Sequence, residues 1–265
     1  MITSDFHMHT EFSLDSGIPV REMVEASIQK ELGIICITDH EDGADPEEEM
    51  HIKDPENYVH TIQNFREEYR DRIEIRIGIE IGIQTRFLGY TGLIQSYPFD
   101  FVIGSLHKVS GQDPYFRTIF KELGEEEVYR RMFLEMAECA RRSQDFDVLG
   151  HMDYAVRYGK NSLEDYSYRK FSDEIDEALR AVIETGKGIE LNTSGWKYGL
   201  PFCHPLPDII KRYRELGGEI LTIGSDGHRP EHIAYDFDKV PEILEYCGFR
   251  YYTEFKDRKP VFKHF

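Results

Sequence analysis

Along this chain, short apolar runs rich in β-branched residues give way again and again to stretches of helical period, a rhythm compatible with few architectures. Ile2 to Phe6 reads as a strand, and a helix starts near Pro19 with Val20, Met23, Val24 and Ile28 on one face. Ile34 to Thr38 is the second strand. A charged helix around Glu56 to Tyr69 leads to the alternating Ile73, Ile75, Ile77 and Ile79, the third strand. Phe101 to Ser105, Asp147 to Gly150, Gly188 to Leu191 and Ile220 to Ile223 follow as strands four to seven. Helices over Glu125 to Arg142, around Ile175 to Ile183 and from Pro207 to Leu216 separate the later ones. Tyr251 to Phe255 and Pro260 to Phe262 read as a short hairpin or an eighth element. Repeats of strand then helix imply parallel strands with crossover helices, in an open doubly wound sheet or a closed barrel.

The placement of polar residues favours the barrel. His7, His9, Asp39, His40, Glu80, His107, His151, Glu190, Asp226 and His228 all fall at or just past the C-terminal end of an expected strand. In a (β/α) barrel those ends converge on one mouth, whereas an open sheet spreads them along an edge. No linker or low-complexity tract divides the 265 residues, so one domain over residues 1–265 is expected.

Fifty Asp plus Glu against 32 Lys plus Arg give a formal charge of -18, a field that repels a nucleic-acid backbone. Nucleic acid is therefore not an expected partner, and a nuclease role is disfavoured. The same field opposes an anionic substrate unless cations in the site reverse the local potential. The four cysteines are far apart, form no CxxC pair and mostly sit in apolar surroundings, as reduced buried thiols do. No run approaches the length of a membrane span, and the N-terminus is polar, so a cytoplasmic protein without a membrane partner is expected.

In Asp5-Phe6-His7-Met8-His9, residues two apart at a strand end point the same way, so His7 and His9 can face one ion. Alone this is a weak signal. Thr38-Asp39-His40-Glu41 ends an apolar strand in two acids flanking an imidazole, though an Asp capping a helix would look the same. Glu80 interrupts the apolar Ile77 to Gly82, and a buried unpaired carboxylate costs several kcal/mol, so it should face water or meet cations. Strand-terminal His107, His151 and the pair Asp226 and His228 repeat the pattern, and Glu190 and Asn192 end strand six with polar groups. His51, His60, His204, His232 and His264 lie in helices, loops or the tail and read as surface residues. One pocket of six imidazoles and several carboxylates, without thiolate, points to Zn, Mn or Fe.

Taken in order, His-x-His-Thr, Thr-Asp-His, Gly-Ile-Glu, Ser-Leu-His, Gly-His-x-Asp and Ser-Asp-Gly-His resemble the PHP (polymerase and histidinol phosphatase) superfamily from residue 5 to residue 228. The length and Glu-Leu-Asn-Thr-Ser-Gly are similar to its histidinol-phosphate phosphatase branch. The resemblance implies a distorted seven-stranded (β/α)7 barrel with three divalent metal ions. Carried over by position, His7, His9, Glu80 and Asp226 would hold one ion, Glu80, His107 and His151 a second, and Asp15, His40 and His228 a third. It implies hydrolysis of L-histidinol phosphate to L-histidinol and phosphate, a step of histidine biosynthesis, by a hydroxide held between the two ions that share Glu80. Glu80, Asp226, His228 and Arg157 are then the expected catalytic residues.

A basic side chain should hold the phosphate oxygens. Arg157 and Lys197, past strands five and six, are the candidates, with Lys108 and Arg229 in reserve and Asn192 as a further substrate contact. The motifs read phosphate and not the leaving group, so another small phosphate ester, such as a nucleotide or sugar phosphate, remains an alternative. A scaffold that keeps the fold without catalysis is the alternative outside enzymes.

Overall fold

The computed structural model describes residues 1–265, apart from the side chains of residues 162 and 163. Seven parallel strands run in the order β1 (Ser4–Asp5), β2 (Ile34–Ile37), β4 (Glu74–Gly82), β5 (Phe101–Ser105), β6 (Val148–Leu149), β7 (Gly188–Asn192) and β8 (Leu221–Gly224). The ring closes between its first and last members, where Phe6 N donates to Ile223 O (3.0 Å) and His9 N to Gly227 O (2.9 Å). This is the distorted (β/α)7 barrel expected from the rhythm of the sequence. Its strands are buried on both faces, which is why β4 reads as an isoleucine ladder around Glu80.

An eighth short strand, β3 (His40–Glu41), was not foreseen. The path of β2 breaks at Thr38, whose N–H turns to Met8 O (2.9 Å), and resumes as β3 with His40 in register with Glu80. That register brings a second imidazole-bearing segment alongside Glu80.

The helices follow their sequence logic. Val20–Gln29 buries Val20, Met23 and Val24 in the hydrophobic core. Pro55–Tyr69 starts on a proline, with the Asp54 side chain accepting from Asn57 N (3.0 Å). Glu125–Arg142 opens on three glutamates and ends on two arginines, as the helix dipole favours.

The C-terminal segment is an antiparallel hairpin of β9 (Tyr251–Lys256) and β10 (Lys259–His264), separate from the barrel sheet. It closes the end opposite the mouth. Phe255 joins Phe6, Cys36, Phe101, Ile103 and Val148 inside the barrel, and Arg258 bonds Asp147 Oδ2 (2.6 Å) just ahead of β6. All four cysteines are buried and free. No helix among the described residues is long and apolar enough to cross a membrane.

Candidate metal centre

Glu80 lies near the C-terminal end of β4, fully buried, with five imidazoles from four segments of the chain around its carboxylate. Oε2 is 2.8 Å from His40 Nδ1, 3.3 Å from His7 Nε2 and 3.5 Å from His9 Nε2. Oε1 is 3.0 Å from His151 Nε2 and 3.3 Å from His107 Nε2. Burial alone would raise this carboxyl, but His7, His40 and His107 outweigh it and hold it well below the usual range.

Asp226 follows β8 in a left-handed conformation (φ 53°), a strain that a non-glycine residue carries to point its carboxylate inward. Its Oδ1 stands 3.5 Å from His9 Nε2 and 3.4 Å from His228 Nδ1. Burial opposes its charge, yet His9, His7, Lys197 and His228 keep the carboxyl well below its ordinary value. Asp15 reaches in from the loop after β1, its Oδ2 3.0 Å from His228 Nε2 and 3.7 Å from His40 Nε2. His9 is stacked between His40 and His228, with ring centroids 4.2 and 4.0 Å away. Burial, then His228 and His40, push its imidazole well below the usual range.

Several of these atoms have no hydrogen bond although they are buried: His7 Nε2, His9 Nε2, His40 Nδ1 and Glu80 Oε2. Lone pairs facing one another without donors are costly, and a cation among them removes that cost. Four overlapping groups have donor atoms within 4.8 Å of one another: His7, His9 and Asp226; His7, Glu80 and His151; His9, His40 and His228; and His40, Asp42 and His107. The mouth thus offers several sites able to chelate metal.

The model of the PHP domain matches residues 5–194. A "Probable histidinol-phosphatase" of Clostridium acetobutylicum is 34% identical over 93% of this chain and 94% of its own, and the "Histidinol-phosphatase" of Lactococcus lactis subsp. lactis is 30% identical over 96% and 95%. The chain belongs to the PHP family. Within it, these relatives place it in the histidinol-phosphatase branch. The crystal structure of the Lactococcus lactis histidinol phosphate phosphatase, complexed with Zn, L-histidinol and phosphate, superposes with a TM-score of 0.88 at 28% identity and covers 98% of each chain. The histidinol phosphatase structure from Listeria monocytogenes, described as putative, shares the fold at 18% identity and a TM-score of 0.72.

In this PHP chain the centre is braced from behind by two acids, Glu190, already expected as a polar group at the end of its strand, and Asp42. Glu190 Oε1 is bonded to His7 Nδ1 (2.6 Å), and its Oε2 accepts from His151 N (2.9 Å). Gly224 makes room for it, since a Cβ there would meet Glu190 Oε1 at 2.3 Å and His7 Cβ at 2.4 Å. Asp42 was missed. Its Oδ2 is bonded to His107 Nδ1 (2.8 Å), and it fits only because residue 82 is glycine, whose Cβ would sit 2.2 Å from the Asp42 carboxyl carbon. That glycine, in an otherwise apolar run, was the available signal. Asp39 turns away from the mouth and organises the β1 loop, accepting from Thr10 N (2.6 Å) and Ser13 Oγ (2.7 Å).

Arg157 is buried beside the centre, its Nη2 donating to Ser194 Oγ (2.9 Å) and lying 3.9 Å from Asp226 Oδ2. Its guanidinium carbon sits 4.1 Å from the Tyr198 ring centroid and 5.0 Å from that of Tyr154, which fixes its plane. Lys197 is tethered: Nζ donates to the carbonyl of Asp226 (2.6 Å) and buttresses the strained residue. Lys108 is taken up by Asp45 and Glu48, each at 2.9 Å, and Arg229 is exposed. Asn192 does not open on the mouth as a substrate contact would. It is fully buried, its amide donating to Glu190 Oε2 (3.0 Å) and accepting from Ser194 N (2.9 Å), because β7 extends one residue further than expected. His204 is not a surface residue either. It is fully buried because residues 203–205 fold back antiparallel onto β7.

Proposed function

We propose that this chain, acting as one domain over residues 1–265, is a metal-dependent phosphomonoesterase that hydrolyses L-histidinol phosphate to L-histidinol and phosphate. The observation that carries the reading is the Glu80 carboxylate with five imidazoles within 3.5 Å at the barrel mouth, next to a buried arginine. The similarity to a phosphatase seen with Zn, L-histidinol and phosphate over 98% of the chain supports it.

Three divalent ions, Zn, Mn or Fe, would be held there: one by His7, His9, Glu80 and Asp226, one by Glu80, His107 and His151, one by Asp15, His40 and His228, whose facing atoms lie within 3.9 Å of a carboxylate oxygen of their own set. Bound there, they would supply Lewis acidity toward phosphate oxygens and bring the acidity of water toward neutrality. The protein's own part is orientation. Glu80 joins two sets of ligands, and Glu190 and Asp42 hold the outer nitrogens of His7 and His107 so that the opposite nitrogens face inward. Arg157, its plane set by Tyr154 and Tyr198, offers a fork of N–H groups to the non-bridging phosphate oxygens. Lys197 Nζ, bonded to the Asp226 carbonyl, supports that residue's left-handed conformation and adds positive charge beside the centre.

Phosphate release from histidinol phosphate, nucleotides and sugar phosphates, using protein of measured metal content, tests the assignment. The expected result is a preference above about tenfold in kcat/KM for histidinol phosphate, roughly 1.4 kcal/mol of discrimination. A smaller preference would assign the site to another small phosphate ester.

A further inference from the structure

His204 sits where the barrel is short of a strand. β6 ends at Leu149, and beyond it residue 204 takes the place beside β7, exchanging both backbone bonds with Asn192 (2.6 and 2.8 Å). The ring is fully buried and its Nδ1 is bonded to Asp153 Oδ1. Asp153, also fully buried, accepts from Tyr166 Oη (3.1 Å) and Leu206 N (2.9 Å) on its other oxygen. With donors on every side of the carboxylate, the shared hydrogen belongs to His204 Nδ1, which leaves Nε2 as a lone-pair acceptor.

Three buried nitrogens of this corner have no hydrogen-bond partner: His204 Nε2, His151 Nδ1 and Arg157 Nε. Two of them are donors. Arg157 Nε always carries hydrogen, and His151, whose Nε2 faces Glu80 at 3.0 Å, carries its hydrogen on Nδ1 when Nε2 serves as a ligand. The third is the acceptor.

We propose that the Asp153 and His204 pair is a positioning device for the metal centre and the phosphate clamp together. One bridging water accepts from His151 Nδ1–H and Arg157 Nε–H and donates to His204 Nε2, so that the three buried nitrogens are joined through it. The inference rests on the reading of His151 as a metal ligand and Arg157 as the phosphate clamp. It assigns a role to two residues outside the ligand set and the phosphate clamp proposed above.

Three variants separate positioning from simple packing. His204→Phe keeps a ring and removes the acceptor, whereas His204→Gln returns an acceptor oxygen near the place of Nε2. Asp153→Asn keeps the size of the side chain. Leu206 N–H obliges its amide oxygen to stay on that side, so the amide N–H faces His204 Nδ1 and drives the ring hydrogen to Nε2. Metal affinity is measured by chelator competition with Zn or Mn counted by elemental analysis, and the clamp by inhibition with inorganic phosphate.

His204→Phe and Asp153→Asn should each weaken the binding of one metal equivalent by about 10- to 100-fold and weaken phosphate inhibition, with His204→Gln within about threefold of the natural chain. Natural metal affinity and phosphate inhibition in both His204→Phe and Asp153→Asn would overturn the proposal. So would an equal loss in His204→Gln and His204→Phe, the mark of packing alone. Should the variants fail to fold, the nitrogen resonances of His204 in the natural protein decide: hydrogen on Nδ1 is expected, and hydrogen on Nε2 overturns it. A natural chain that binds no metal at all would instead sink the metal reading itself.

Discussion

Glu80 concentrates the chemistry of this molecule at one residue, because its two oxygens are the meeting point of His7, His9, His40, His107 and His151. Glu80→Gln keeps the shape and removes the charge. It should lower kcat/KM by about 100- to 1,000-fold and release metal on dialysis, measured by phosphate release and elemental analysis. Arg157→Lys keeps the charge but loses the planar fork between Tyr154 and Tyr198, so inhibition by inorganic phosphate should weaken by about tenfold or more. The chelated protein carries a pH signature. Burial lowers His40, but Glu80 and Asp15 outweigh it and raise the imidazole to about 10. A raised histidine stabilises the fold below its ordinary value near 6.5 and loses that contribution as pH climbs toward the folded one. Stability of the chelated chain should therefore fall between about pH 6.5 and 10, and the rise in Tm on adding Zn should grow over the same window. Equal Zn-induced rises at pH 6.5 and 9 would count against imidazole ligands. At this scale the positions of the strand-end histidines were legible, since an imidazole closing an apolar run is conspicuous. Asp42 and His204 were not, because one depends on space left by a glycine forty residues away and the other on a chain reversal with no periodic signature.

Strands carry these side chains to one place, and the elements differ in how they announced themselves. The ladder Ile73, Ile75, Ile77, Ile79 and the stripe of Val128, Met132, Phe133 and Met136 each repeat one period long enough to identify β4 and the helix Glu125–Arg142. β3, two residues long, has no period at all. It exists because His40 and Glu41 pair with Glu80 and Ile81, a tertiary contact that local sequence does not encode. Two substitutions test what the elements contribute. Gly224→Ala forces a methyl between Glu190 and His7 and should destabilise the protein by roughly 1–3 kcal/mol in urea unfolding, with weakened metal binding. Phe255→Ala empties the barrel end farthest from the mouth, so about 3–5 kcal/mol of stability should go while kcat/KM in the folded protein stays close to natural.

For the whole molecule, a formal charge of -18 and a phosphate substrate are at odds unless the mouth itself is positive. Arg157 and Lys197 supply part of that reversal, and divalent ions shared through Glu80 would supply most of it. The closed ring makes such sharing possible, because the bonds of Phe6 to Ile223 and His9 to Gly227 bring residues from the two ends of the barrel sequence to one axis. The most direct measurement is anomalous X-ray scattering at the Zn, Fe and Mn edges from crystals of the protein as purified. Ions bonded to Glu80 and to His7, His151 and Asp226, with metal to nitrogen distances of about 2.0–2.1 Å for Zn, are the predicted result. Anomalous maps flat throughout the mouth, from protein that still releases phosphate at full rate, would contradict it.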